Sequence, residues 1–208
     1  MNICKICLEN IPIDFMDSLI FLFHPRLRLC PKCLHKFHPI FQHFSFYGIS
    51  ALSIYPYDEF MQSLLYRYKE QRDIELKDVF LEFYAKELYF RYHGYELVCM
   101  PSSEEKEKQR GFSSLKEIFQ VLHLPFLDLF QKEQDFKQST SHRKERFSNR
   151  GSIVLKENLP SLTNKKLLFV DDVMTTGATL LRALELIKPY HPKRIKILVL
   201  SKNDGKRR

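Results

Sequence analysis

The 208-residue sequence contains no tryptophan and only six glycines, and no apolar run in it approaches the eighteen or so residues that a helical membrane span needs. A helical transmembrane protein is thereby excluded. A secretory signal is disfavoured too, because Cys4 and Cys7 fall where its apolar region would lie. The expectation is a soluble, cytoplasmic protein, with any place at the inner face of the membrane reached through partners. Cysteine is sparse, five in all, and disulfides are disfavoured where no secretory signal exists. A chain of this length buries about 70% of its unfolded surface without such staples. One medium domain with an appendage is expected. The few glycines, among them Gly48, Gly94, Gly111 and Gly177, fall at turns or element starts.

Against these absences stands one dense stretch, Leu167 to Leu180. Leu167, Leu168, Phe169 and Val170 are consecutive apolar residues without polar alternation, which suits a strand covered on both faces of a parallel sheet. The run stops at Asp171 and Asp172. After Gly177, the residues Ala178, Leu180, Leu181, Ala183, Leu184 and Ile187 recur at three and four, the period of an amphipathic helix. Ligands of such sheets bind beyond the carboxyl ends of the strands. Two carboxylates there can accept hydrogen bonds from a diol such as ribose O2 and O3. The N–H groups of Thr176, Gly177, Ala178 and Thr179 open a helix N-terminus that favours an anion, with Thr175 and Thr176 as added donors. Glycine would let a phosphate approach the backbone. The plain alternative is a threonine cap on a helix with two solvated acids at a strand end.

The run "VDDVMTTGATL" closely resembles the phosphoribosyl-pyrophosphate loop of type I phosphoribosyltransferases. That resemblance implies ribose hydroxyls on Asp171 and Asp172, the 5-phosphate on Thr175, Thr176, Gly177, Ala178 and Thr179, and Mg²⁺ carried with the ligand.

Cys4-Lys5-Ile6-Cys7 and Cys30-Pro31-Lys32-Cys33 are two C-x2-C knuckles separated by twenty-two residues. Two such turns complete a tetrahedral Cys4 site for Zn²⁺, and a closed four-thiolate shell makes the metal structural. A redox C-x-x-C would need only one pair beside a βαβ unit. His24, His35, His38 and His43 are read as surface or packing residues, and Cys99 as a small buried hydrophobe. Ile20, Phe21, Leu22, Phe23, Leu27 and Leu29 supply a small core or a docking face.

Helical periodicity follows from Tyr55 to Arg91. Met61, Leu64, Leu65 and Tyr68 form one stripe, and Ile74, Val79, Phe80, Phe83, Leu88 and Phe90 form the next. Between them, Tyr68 to Asp73 reads as a charged turn. Its Lys69 and Asp73, together with the cysteine finger, resemble the ComF-type competence proteins, which are type I phosphoribosyltransferase homologues. Arg72 stands where that family commonly has glycine. Glu96 to Met100 reads as a strand ended by Pro101, then a charged loop from Ser102 to Gln109, then Arg110-Gly111-Phe112-Ser113 before a helix. The resemblance places Arg110 with Asp171 and Asp172 in a catalytic set and pyrophosphate on this loop. Residues 131–150 lack core material and match the flexible hood of the family through Gln138, Arg146 and Asn149, with a solvated connector as the alternative.

The expected architecture is thus α/β, a mostly parallel sheet of type I phosphoribosyltransferase kind with a small N-terminal Cys4 zinc finger. Residues 1–45 form the finger, 46–200 the transferase-like domain and 201–208 a basic tail. Net charge is +8, with a local +7 over residues 188–208 and +4 over 137–150. Such clusters suit single-stranded DNA, although a solvated tail is the ordinary alternative. The resemblance implies a role in natural transformation, with a DNA-uptake helicase and other competence proteins as partners. Two functional classes stay open. One is a transferase of unknown acceptor, working through an oxocarbenium-like state, with nucleotide or cofactor metabolism and no DNA role as its extreme form. The other is a competence module that uses the sugar phosphate as ligand.

Overall fold

The computed structural model describes residues 3–12, 23–24, 26–133 and 153–203. Its strands are β1 (Gln42–Phe46), β2 (Ile49–Pro56), β3 (Glu96–Cys99), β4 (Phe130–Lys132), β5 (Ile153–Leu155), β6 (Lys166–Met174) and β7 (Arg194–Lys202). Five of them form one sheet in the order β1-β2-β7-β6-β3. β2, β7, β6 and β3 are parallel, while β1 is antiparallel to β2. The class is α/β with a mostly parallel sheet, as the sequence led one to expect.

The centre of the sheet explains the unbroken apolar runs. Leu167, Leu168, Phe169 and Val170 of β6 and Ile197, Leu198, Val199 and Leu200 of β7 are fully buried. Each such side chain contributes roughly 1.5–3 kcal/mol relative to exposure. Asp171 and Asp172, however, do not terminate β6. The strand runs on to Met174 because β7 is long enough to pair it, Asp171 opposite Val199 and Met174 opposite Lys202. The same pairing places Ser201 and Lys202 in β7, so the polar tail begins later than the composition indicated.

The chain around the expected boundary at residue 45 lies inside β1. A two-residue turn joins β1 to β2, with Tyr47 at φ 49° and Gly48 at φ 79°, the pair of left-handed residues that matches strand twist in a hairpin.

The helices are α1 (Pro31–Leu34), α2 (Glu59–Lys69), α3 (Ala85–Tyr92), α4 (Glu104–Arg110), α5 (Ser114–Phe119) and α6 (Ala178–Ile187). Asp58 caps α2 by accepting the Met61 N–H at 2.8 Å. The predicted stripe of Met61, Leu64, Leu65 and Tyr68 is buried. The second stripe breaks up. Ile74–Val79 and Glu82–Tyr84 are 3-10 turns, whose tighter winding rotates apolar positions out of one line, and Phe90, in the α-helix that follows them, is 77% exposed.

The charged segment read as a loop is helix α4. Ser103 caps it, Gly111 ends it at φ 84°, and Glu104 to Lys108 and Glu105 to Gln109 join successive turns. No residue of it is buried, so periodicity could not reveal it.

Leu27, Leu29, Cys30 and Cys33 of the cysteine module belong to the same apolar cluster as the sheet residues. Lys5 Nζ meets Asp78 at 2.6 Å. The segment Ile20 to Leu22, the hood residues Gln138, Arg146 and Asn149, and Lys206, Arg207 and Arg208 lie outside the described residues. The first two residues of the expected hood, Gln131 and Lys132, instead belong to β4, which pairs antiparallel with β5, Phe130 opposite Leu155.

Candidate functional site

β6 delivers its two acids to different neighbours, because successive side chains of a strand diverge. Asp172, which is buried, forms an ion pair with Lys69 at the last residue of α2. Its Oδ1 also accepts the Val173 N–H at 2.7 Å. Asp171 accepts the Asp172 N–H at 2.9 Å. Burial first, and the adjacent Asp172 charge second, push the Asp171 carboxyl up to about 7, against the opposing pull of Lys69. Lys69 thus faces both acids, paired directly with Asp172 and acting on Asp171 through its charge.

Beyond Met174 the chain turns sharply into α6. Thr175 and Thr176 are exposed, and the Thr176 Oγ1 accepts the Ala178 N–H at 3.3 Å. Gly177 has φ 72°, and a Cβ there would lie 2.6 Å from the Phe46 ring and 3.0 Å from the Met174 Cε. Glycine is therefore demanded by the hairpin packed beneath the loop and by the left-handed turn. Close approach of a ligand is not the reason the geometry gives. Phe46 was not legible as part of this site, since nothing in the sequence joins β1 to the loop.

A cavity of about 570 Å³ opens beside these groups, bounded by Asp172, Lys69 and Thr175 with Tyr57, Tyr66 and Gln62 on its far wall. Next to it Lys69, Arg72, Lys106 and Arg110, four cations against the one acid Glu70, line a smaller cleft of about 50 Å³ with Gln109. The acidic residues of α4 thus leave a basic side facing α2. Arg110 is spent on the frame of the site. Its Nε donates to the Lys69 carbonyl at 3.0 Å and its Nη1 to Ser114 Oγ at 3.2 Å, which supplies a cation to the C-terminal end of α2. The structure brings Arg110 to the backbone of Lys69, and Lys69 in turn to Asp172.

Arg72 keeps the turn after α2 in the conformation a glycine would adopt, at φ 59°. Asp73 receives Arg67 Nη2 at 3.0 Å. The resemblance at Lys69 and Asp73 therefore marks two working contacts.

The second cluster is that of the cysteines. The Sγ atoms of Cys4, Cys7, Cys30 and Cys33 all lie within 4.8 Å of one another, and Cys7 and Cys30 are 3.7 Å apart. A tetrahedral ion with Zn–S bonds of about 2.3 Å requires sulfurs about 3.8 Å apart, so the donor set and spacing fit. Burial raises the Cys4 thiol, but backbone N–H groups of Cys7, Cys30 and Ile6 outweigh it and hold the group at about 7. Burial and neighbouring thiols push Cys33 up. Four such thiols can hold a metal ion such as zinc.

Comparison with known proteins follows the same lines. The phosphoribosyl transferase domain family matches residues 108–208. Competence protein ComFC of Streptococcus pneumoniae is 31% identical over 153 residues, covering 74% of this chain and 68% of that protein. The chain belongs to the ComF-type family of phosphoribosyltransferase-like competence proteins. Competence protein ComFC of Bacillus subtilis is 26% identical over 207 residues, covering 86% of this chain and 85% of the relative. Among solved structures, a hypoxanthine phosphoribosyltransferase from Staphylococcus aureus matches 70% of this chain and 76% of its own, at 16% identity and a TM-score of 0.38. At these values the solved structure adds nothing to the family assignment. Membership in the ComF-type family makes this a competence-related, phosphoribosyltransferase-like protein. Among the described residues no helix is long and apolar enough to cross a membrane.

Proposed function

We propose that the protein binds phosphoribosyl pyrophosphate with Mg²⁺ at the end of β6 and handles single-stranded DNA in natural competence. The observation that carries the ligand reading is the buried, Lys69-paired Asp172 lining one cavity with Thr175, the first residue of the threonine loop. Asp171 and Asp172 accept from the ribose hydroxyls. The backbone of Thr176, Gly177, Ala178 and Thr179, with the Thr175 hydroxyl, receives the 5-phosphate. The basic cleft of Lys69, Arg72, Lys106 and Arg110 balances the pyrophosphate. Mg²⁺ supplies charge neutralisation to the departing pyrophosphate when bound. Within this set Arg110 acts by holding Lys69 in place, as its hydrogen bonds favour.

Zn²⁺ bound by Cys4, Cys7, Cys30 and Cys33 has a structural role, because four thiolates leave no open position. The DNA reading rests on the competence relatives and on charge, with the DNA-uptake helicase and other competence proteins as partners. A transferase of nucleotide or cofactor metabolism is the second reading, favoured by the intact acid pair and loop.

Calorimetry tests the ligand reading. Asp171→Asn combined with Asp172→Asn removes two charged hydrogen bonds of roughly 1.5–3 kcal/mol each, so affinity for phosphoribosyl pyrophosphate falls about a hundredfold or more. Unchanged affinity in a folded double variant overturns it. Pyrophosphate release measured against a panel of nucleophiles, DNA ends included, separates transferase from ligand-binding module.

A further inference from the structure

The last turn of α2 is held from two sides. On one side Arg67 Nη1 donates to the carbonyl of Ile6, inside the first cysteine knuckle, at 2.5 Å, and its Nη2 meets Asp73 Oδ2 at 3.0 Å. Two residues on, and therefore on the opposite side of the helix, Lys69 reaches Asp172. The Lys69 carbonyl is held by Arg110 and the Arg67 carbonyl by the Asp73 N–H. These bonds satisfy acceptors that a helix end otherwise leaves open.

A buried carboxylate stays charged only with a placed counter-ion. Lys69 is that counter-ion, and where it sits depends on how the turn is anchored. We propose that Arg67 is a positioning residue through which the cysteine knuckle sets the ribose-binding acid: by gripping Ile6 and Asp73 it holds Lys69 on Asp172, so that metal in the finger and sugar phosphate at β6 are linked. The inference rests on the sugar-phosphate reading of Asp172. Linkage of this kind is reciprocal, so the ligand tightens the knuckle by the same factor that the knuckle tightens the ligand. Knuckle attachment alone does not carry it, because Lys5 fastens the same knuckle to Asp78 without touching α2.

The test uses the full-length, zinc-loaded chain, with phosphoribosyl pyrophosphate and Mg²⁺ as the titrant and metal content measured alongside. Arg67→Ala is expected to weaken affinity about tenfold at one zinc per chain. It also raises the pH at which affinity is half-maximal. Lys69 is one of the charges that face Asp171, with Asp172 on its own strand, Lys132 on β4 and Cys99 on β3. In an Asp172→Asn background, Arg67→Ala adds nothing, since both changes break one chain of contacts. Lys5→Ala leaves affinity within about twofold. Unchanged affinity in Arg67→Ala, additive losses in the double variant, or an equal loss in Lys5→Ala each overturn the linkage. Should Arg67→Ala shed zinc or melt, Arg67→Lys takes its place, keeping the charge but losing the fork that grips two acceptors. The same expectations and reversals then apply to it. An unchanged affinity in Asp172→Asn alone removes the sugar-phosphate reading itself, a result distinct from all of these.

Discussion

Phe46 occupies the space into which any side chain at position 177 would project, its ring carbons lying 2.6 Å from a Cβ built on Gly177. Gly177→Ala therefore meets two obstacles, a left-handed backbone costing about 1–2 kcal/mol and an overpacked contact costing about 1–3 kcal/mol. Denaturant titration should show a loss of roughly 2–5 kcal/mol. Adding Phe46→Ala to it restores the contact share of that loss and leaves the backbone share. A double variant no better than the single one shows that Phe46 does not press on the loop.

Stability and ligand affinity move in opposite directions with pH around Asp171. Its folded-state value, about 7, lies above its ordinary 3.8. The folded state therefore keeps a proton that the unfolded chain releases. The stabilisation is fully present below about pH 4 and is lost as pH rises through 7. Diol binding needs the ionised acid, so affinity for phosphoribosyl pyrophosphate rises over that window. Asp171→Asn should flatten both profiles, and a pH step in affinity that survives the substitution assigns it to another group.

Removal of zinc should act on the cysteine module first. Structural zinc of this type contributes an apparent ~10–16 kcal/mol in isolated fingers. Cys30→Ser should lose the metal and expose residues 1–45 to protease, with Leu27 and Leu29 leaving the shared core. Stoichiometric zinc retained by the quadruple serine variant would falsify the assignment of the four thiols.

Arg72 holds a backbone conformation at φ 59° that favours glycine. Arg72→Gly is expected to raise stability by about 1 kcal/mol, the strain of a left-handed non-glycine residue. Because Arg72 also lines the basic cleft, pyrophosphate affinity should fall in the same variant. A gain in stability without a change in affinity removes Arg72 from the anion side.

DNA contact by the C-terminus is measured through salt. Each phosphate of a single strand that the protein neutralises releases counterions and contributes about −0.7 to the slope of log affinity against log salt. Replacing Lys206, Arg207 and Arg208 by alanine should make the slope shallower by roughly two units. Lys202 is better left in place, since its ammonium stacks on the Phe44 ring at 4.9 Å. An unchanged slope makes the tail a solvated end and moves DNA contact to the finger.

The central strand, the acid pair, α6 and the cysteine quartet were legible because each carries a local signal, either an unbroken apolar run, a period of three and four, or a fixed spacing. The misses share a cause. Helix α4 has charge on every side, so only its Ser103 cap and Gly111 stop announced it. The β1–β2 hairpin has only Tyr47-Gly48 as its local turn signal, since the burial that tells its strands apart comes from β7, far along the chain. β6 runs past its acids since β7 pairs its backbone and Lys69 of α2 pairs with Asp172, a condition set by partners distant in the chain. The Lys69 to Asp172 pair and the reach of Arg67 to Ile6 belong to the same category. Family resemblance singled out Lys69 and Asp73, whereas tertiary structure alone says what they touch.

Helix α4 has no buried residue, and its contacts include the Ser103 cap, two pairs between successive turns and the anchor of Arg110. An isolated helix of seven residues is far too short to persist in water on its own. Its amide protons are therefore expected to exchange faster than those of β6 and β7, which lie in the buried sheet.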